Sequence, residues 1–93
     1  MKMTLEAAPS AACFRALSNP ARLEAFFHLV RAGELPAGRI AKAVRIPGPT
    51  LSRHLAVLRE AGLIRCRRER RNVYCSVRAD TVTRLIRILT ACC

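Results

Sequence analysis

The chain has 93 residues, enough for one small domain whose thin core commonly gains stability by pairing with a second copy. Hydrophobic residues make up 52% of it, with three Phe, one Tyr and no Trp, which excludes a disordered chain and favours helices over a β-sandwich. Seventeen Lys plus Arg against six Asp plus Glu leave a formal charge of +11, so a polyanion is the natural partner; fifteen of the cations are Arg, whose planar fork suits phosphate oxygens and guanine edges. No run approaches the ~20 apolar residues of a membrane span, and Met1-Lys2-Met3-Thr4-Leu5-Glu6 lacks the apolar stretch of a signal peptide, so no membrane partner and a cytoplasmic location are expected. The five cysteines Cys13, Cys66, Cys75, Cys92 and Cys93 show no disulfide-framework spacing, and a reducing cytosol would keep them as thiols.

In chain order, Ala11 to Leu17 reads as a short Ala-rich helix that stops at Ser18-Asn19-Pro20. Ser18 or Asn19 caps the next helix, and Pro20 sits in its first turn, where a missing N–H costs nothing. Leu23, Phe26, Phe27 and Val30 recur at i, i+3, i+4, i+7 as an apolar stripe, and Gly33 ends the helix near Ala32. After Leu35-Pro36, Ala37 to Val44 forms a third helix with Ile40, Ala41 and Val44 on one face. Arg45-Ile46-Pro47-Gly48 is a turn. Pro49 opens a fourth helix in which Leu51, Leu55 and Leu58 line one side, and Gly62 terminates it. Leu63 to Arg68 and Asn72 to Val77 read as a β-hairpin with a polar tip at Glu69-Arg70-Arg71. Asp80 or Thr81 caps a last helix striped by Val82, Leu85, Ile86 and Leu89, and the chain ends in Cys92-Cys93. No internal repeat, linker or low-complexity tract is present, so residues 1–93 form one domain, mainly α with a small β-hairpin.

A helix, a short turn and a second helix with polar and basic residues in its first turns have the arrangement of a helix-turn-helix, here about residues 37–62. The second helix of such a unit enters the major groove by its N-terminal end, so Pro49, Thr50, Ser52, Arg53 and His54 are the candidates to meet bases or phosphates. The hairpin that follows, about residues 63–77, carries Arg65, Arg67, Arg68, Arg70 and Arg71 with one acid among them, more cation than protecting an edge strand requires. Arg67, Arg68, Arg70 and Arg71 are therefore candidate DNA contacts. Ser52 beside His54 does not make a hydrolytic pair, because consecutive helix positions do not face each other and no orienting acid is near; an enzyme is not expected.

Three segments, Ala16-Leu17-Ser18-Asn19-Pro20-Ala21-Arg22-Leu23, the stretch from Thr50 to Ile64 with its S-x-H-L-x-x-L-x-x-A-G-L pattern, and Arg70-Arg71-Asn72-Val73-Tyr74, together resemble the ArsR/SmtB family of metal-responsive repressors. The similarity runs from about Ala11 to Cys93. The resemblance implies a winged helix-turn-helix homodimer joined through its first and last helices. It would sit on double-stranded operator DNA and leave it on binding an inducer, with no obligatory cofactor.

Ligand sites differ within the family. The arsenic site built on C-x-C at the start of the third helix is absent, since Leu35-Pro36-Ala37-Gly38 stands there, and the zinc site of the last helix lacks its His. The sequence resembles instead the branch with a vicinal cysteine pair at the end of the last helix, here about residues 80–93, which implies As(III), Sb(III) or methylarsenite as inducer at Cys92 and Cys93. Soft thiolates suit a soft trivalent metalloid, and a third thiolate would come from Cys13 or from a tail beyond Cys93. The competing reading is a thiol redox or persulfide sensor in which Cys13 and Cys92 or Cys93 form a disulfide. For Cys66 and Cys75, in opposite strands of the wing, plain strand packing is expected.

Overall fold

A computed structural model of the chain describes residues 3–91. Its elements run α1 (Met3–Leu17), α2 (Pro20–Ala32), β1 (Glu34–Pro36), α3 (Ala37–Val44), α4 (Gly48–Glu60), β2 (Ile64–Glu69), β3 (Asn72–Val77) and α5 (Ala79–Thr90). The helices of the middle region form where the punctuation places them. Asn19 caps α2 by accepting the Arg22 amide at 3.1 Å, with Pro20 in the first turn. Gly33 ends α2 in the left-handed region (φ 86°), where its amide closes on the Leu29 carbonyl. At the end of α4, Gly62 (φ 83°) lets the chain reverse, so that the Leu63 amide reaches back to the Leu58 carbonyl at 3.0 Å.

The core sits where α1–α4 and the sheet converge. Ile40, Leu51, Leu55, Leu58, Leu63 and Ile64 are buried there with Leu29, Leu85, Cys13 and Cys75. Each large aliphatic side chain in that set contributes about 1.5–3 kcal/mol by leaving water. α5 is tied to the end of α4 by two bonds: the Arg78 amide donates to Leu63 O (2.9 Å) and the buried Thr81 hydroxyl to Gly62 O (2.7 Å).

Four expectations need correction. α1 starts at Met3 and runs through Pro9, well before Ala11. β1 pairs antiparallel with β3, which makes a sheet of order β1-β3-β2 in place of a bare hairpin; three residues are too few to show alternation, and the strand exists by virtue of its partner. α5 begins at Ala79 with Arg78 in the cap position and no side-chain cap, because Thr81 points inward to Gly62. Cys66 and Cys75 are joined as a disulfide, not free thiols: the ladder sets them directly opposite with Cα atoms 4.1 Å apart, on one face of the sheet.

The apolar stripe of α2 also faces largely outward, with Phe26 alone of its four members packed against the core. Ala25 and Leu29 are the buried residues of the helix, whereas Leu23, Phe27 (54% exposed) and Val30 lie open, as do Ile86 and Leu89 (63%) on α5 and Phe14 on α1.

Candidate nucleic-acid interface

α3 and α4 meet through a turn shaped by Arg45, whose left-handed backbone (φ 63°) closes α3 as its N–H donates a hydrogen bond to Ala41 O, and by Pro47, which holds extended backbone before Gly48. On α4, Leu51, Leu55 and Leu58 are buried beneath, which fixes the helix as a rigid platform. The opposite side carries the expected readers: Pro49, Ser52 and Arg53 are exposed, and Thr50 and His54 are half-buried beside them. No side chain caps the N-terminus of α4, so its free amides add positive potential where an anion would arrive.

His54 is held from behind. Arg22 of α2 donates through Nη1 to His54 Nδ1 at 3.3 Å, and its Nε donates to the Ala16 carbonyl at 2.6 Å. A guanidinium has only donors, so Nδ1 must accept and the ring proton sits on Nε2, where it is a donor for a base-edge acceptor or a phosphate oxygen. Arg22, whose guanidinium holds the His54 ring, was not singled out by pattern reading, although it lies in the Ala16-to-Leu23 segment that carries the family resemblance.

The wing divides its arginines. Arg68, Arg70 and Arg71 are exposed and make no ion pair among the described residues; Arg70 occupies the tip with φ 58°. Arg67 is engaged elsewhere. It bonds Glu34 of β1 at 3.1 Å and Glu69 at 3.3 Å, and its guanidinium lies 4.8 Å above the Tyr74 ring. The Glu34 hydrogen bond and charge raise its pKa beyond the usual arginine value, so Arg67 braces β2 against β1 more than it reaches outward. A second cationic row was also missed: Arg39, Lys42 and Arg45 are exposed, at the i, i+3, i+6 spacing opposite Ile40 and Val44, and that spacing was the available signal.

Cys13 is wholly enclosed between α1 and the end of α4, and its Sγ donates to Ala61 O at 3.1 Å, the position of a small core residue. Cys92 and Cys93 lie outside the described residues. Among the described residues no group of three or more His, Cys, Asp and Glu is gathered that could hold a metal ion, and no helix is long and apolar enough to cross a membrane.

A helix-turn-helix domain model matches residues 17–67, more than half of the chain. The chain is similar to the biofilm growth-associated repressor of Agrobacterium fabrum, 37% identical over 89 residues, which is 96% of this chain and 75% of that protein. It is similar also to the arsenic resistance transcriptional regulator ArsR1 of Pseudomonas putida, 38% identical over 61 residues, 66% of this chain and 48% of that one. Among solved structures, the homodimeric winged helix-turn-helix DNA-binding domain of Mb0332 from Mycobacterium bovis, a possible ArsR-family regulator, superimposes with a TM-score of 0.78 at 25% identity, covering 98% of this chain and 84% of that one. These relatives are transcriptional regulators and not enzymes. With a helix-turn-helix backed by a basic wing and relatives of this kind, the chain belongs to the ArsR family of winged-helix transcriptional repressors.

Proposed function

We propose that two copies of this chain occupy an imperfectly palindromic operator in the cytoplasm, and that As(III), Sb(III) or methylarsenite releases them by binding the thiolates of Cys92 and Cys93. The observation that carries the DNA half is the alignment on α4 of Ser52, Arg53 and a His54 oriented by Arg22, above a buried leucine row. Pairing is supported by the open apolar faces of α1, α2 and α5, where Phe14, Leu23, Phe27, Val30, Ile86 and Leu89 would otherwise remain in water. A homodimeric relative of the same fold supports it too.

The inducer half rests on the adjacent cysteines that follow α5 and on similarity to a regulator named for arsenic resistance. Metalloid bound at the tail of α5 would alter the face through which the two subunits meet, and a ligand that prefers the altered pairing shifts the population off DNA. A third thiolate from Cys13 would require the α1–α4 contact to open, since Cys13 is spent on Ala61.

The test titrates the reduced protein, bound to a duplex from its own promoter, with arsenite, antimonite and methylarsenite in turn. Release is expected for the wild type and for Cys66→Ser; Cys92→Ser and Cys93→Ser should bind the duplex and stay bound. Normal release from both tail variants overturns the site. A reversible Cys13-to-tail crosslink at modest oxidant, with indifference to arsenite, would favour the redox reading instead.

A further inference from the structure

Cys66 and Cys75 have no part in the surface described above, yet the fold brings them together. They are opposite residues of β2 and β3, and their bond closes a ring over residues 66–75 that contains Arg67, Arg68, Arg70 and Arg71. The strands do not need it: the ladder already pairs them from Ile64↔Val77 to Glu69↔Asn72. A protein that works on DNA works among thiol reductants, where the disulfides that do occur are mostly transient, catalytic or redox-sensing. The two sulfurs are also unequal, since Cys75 is fully enclosed and Cys66 is partly open. That asymmetry gives an incoming thiolate one sulfur to attack and leaves the other to depart and later resolve.

We propose that Cys66–Cys75 is a reversible thiol–disulfide site whose oxidation state sets how firmly the wing grips DNA, with a low-molecular-weight thiol and its disulfide as the reactants. This rests on the DNA-binding reading above. In reduction, the external thiolate bonds to Cys66 Sγ; the Cys66–Cys75 bond breaks, and its electron pair leaves on Cys75 Sγ, which takes a proton. A second external thiolate attacks the external sulfur of the mixed disulfide, which frees Cys66 as a thiolate to be protonated and releases the oxidised reagent. Oxidation by the low-molecular-weight disulfide runs the same two exchanges in reverse. Excess arginine around the hairpin favours an anionic attacking thiol. The stapled ring holds the arginine-bearing tip in fewer conformations, so less ordering is lost when it meets phosphate, and the oxidised form should bind about three- to tenfold more tightly.

The experiment uses the full chain carrying Cys92→Ser and Cys93→Ser, poised with mixtures of glutathione and glutathione disulfide. Alkylation and mass spectrometry read the bonded fraction, and fluorescence anisotropy reads affinity for a short random-sequence duplex, a probe suited to backbone contacts. Expected is a Cys66–Cys75 crosslink that forms and breaks with the couple, tighter binding in the oxidised form, and a Cys66→Ala variant that binds like the reduced form at every ratio. Equal affinity of the two forms, or a pair that does not change across the couple, overturns this inference and leaves the repressor reading intact. Absence of DNA binding in both forms removes the repressor reading and this inference together. If Cys66→Ala fails to fold, the oxidised and reduced forms of the parent still decide the matter.

Discussion

In the proposed complex, α4 and the wing would meet the same polyanion by opposite means. α4 carries few charges, but three leucines anchor it in the core and a guanidinium from α2 orients one of its side chains. The wing is rooted in the core at Leu63, Ile64 and Cys75, carries many charges toward its tip, and is held by the β2–β3 ladder together with two side-chain links, Arg67 to Glu34 and Cys66 to Cys75. Reading a base edge demands a donor fixed within a narrow angle, so it needs a rigid base. Neutralising phosphates demands charge in number and tolerates motion. The two surfaces are built accordingly.

The largest expected effect comes from removing the platform. Leu58→Ala empties a fully buried site between α4 and the rest of the core and should cost roughly 2–5 kcal/mol of folding stability, measured by urea unfolding. A loss well under that range would mean that α4 is not fixed from below, and the contrast with the wing would fail. Next is Arg53→Ala, which should lower operator affinity by ~1–3 kcal/mol and relax discrimination against a scrambled duplex. Unchanged discrimination would remove Arg53 from the readers.

Replacing Arg70 and Arg71 together with Ala should weaken binding to operator and scrambled DNA alike, and the slope of log affinity against log salt should fall by about two for each subunit bound. An unaltered slope would show that the wing tip does not touch the backbone. The smallest effect is expected for Glu34→Gln, because the Glu34–Arg67 pair is largely exposed to solvent. The thermal midpoint should stay within error, while Arg67, released from its brace, makes the salt slope slightly steeper. A large fall in the midpoint would mean that the link between β1 and β2 bears more of the wing than charge alone explains.

Much of this was legible from residues. α2, α3 and α4 announce themselves through Asn19-Pro20, Gly33, Pro49 and Gly62, because those residues act within a few positions of themselves. What depends on distant partners was not. The stripe Leu23, Phe26, Phe27 and Val30 has the period of a core face, but only Phe26 packs on the core, and period cannot distinguish a face covered by its own chain from one left open. The disulfide turned on a single residue of register. A three-residue tip at Glu69-Arg70-Arg71 would pair Cys66 with Tyr74, whereas the two-residue tip Arg70-Arg71 sets Cys66 and Cys75 at equal distance from the turn and therefore opposite one another. Arg22 was readable as part of the family pattern, yet its contact with His54 spans 32 positions of sequence and needed the packing of α2 on α4 to appear.

β1 is three residues long and runs without a break into α3, while along its length it is laced to β3, the central strand that carries the wing. The helix pair and the base of the wing are thereby connected through backbone, so a displacement of α3 passes through β1 to β3. In the proposed pair of subunits, the separation of the two α4 helices would then be governed by where α1, α2 and α5 touch their counterparts. In such a pair, substitutions on the apolar outer faces would alter half-site spacing, and substitutions on α4 would alter the bases preferred, each without the other.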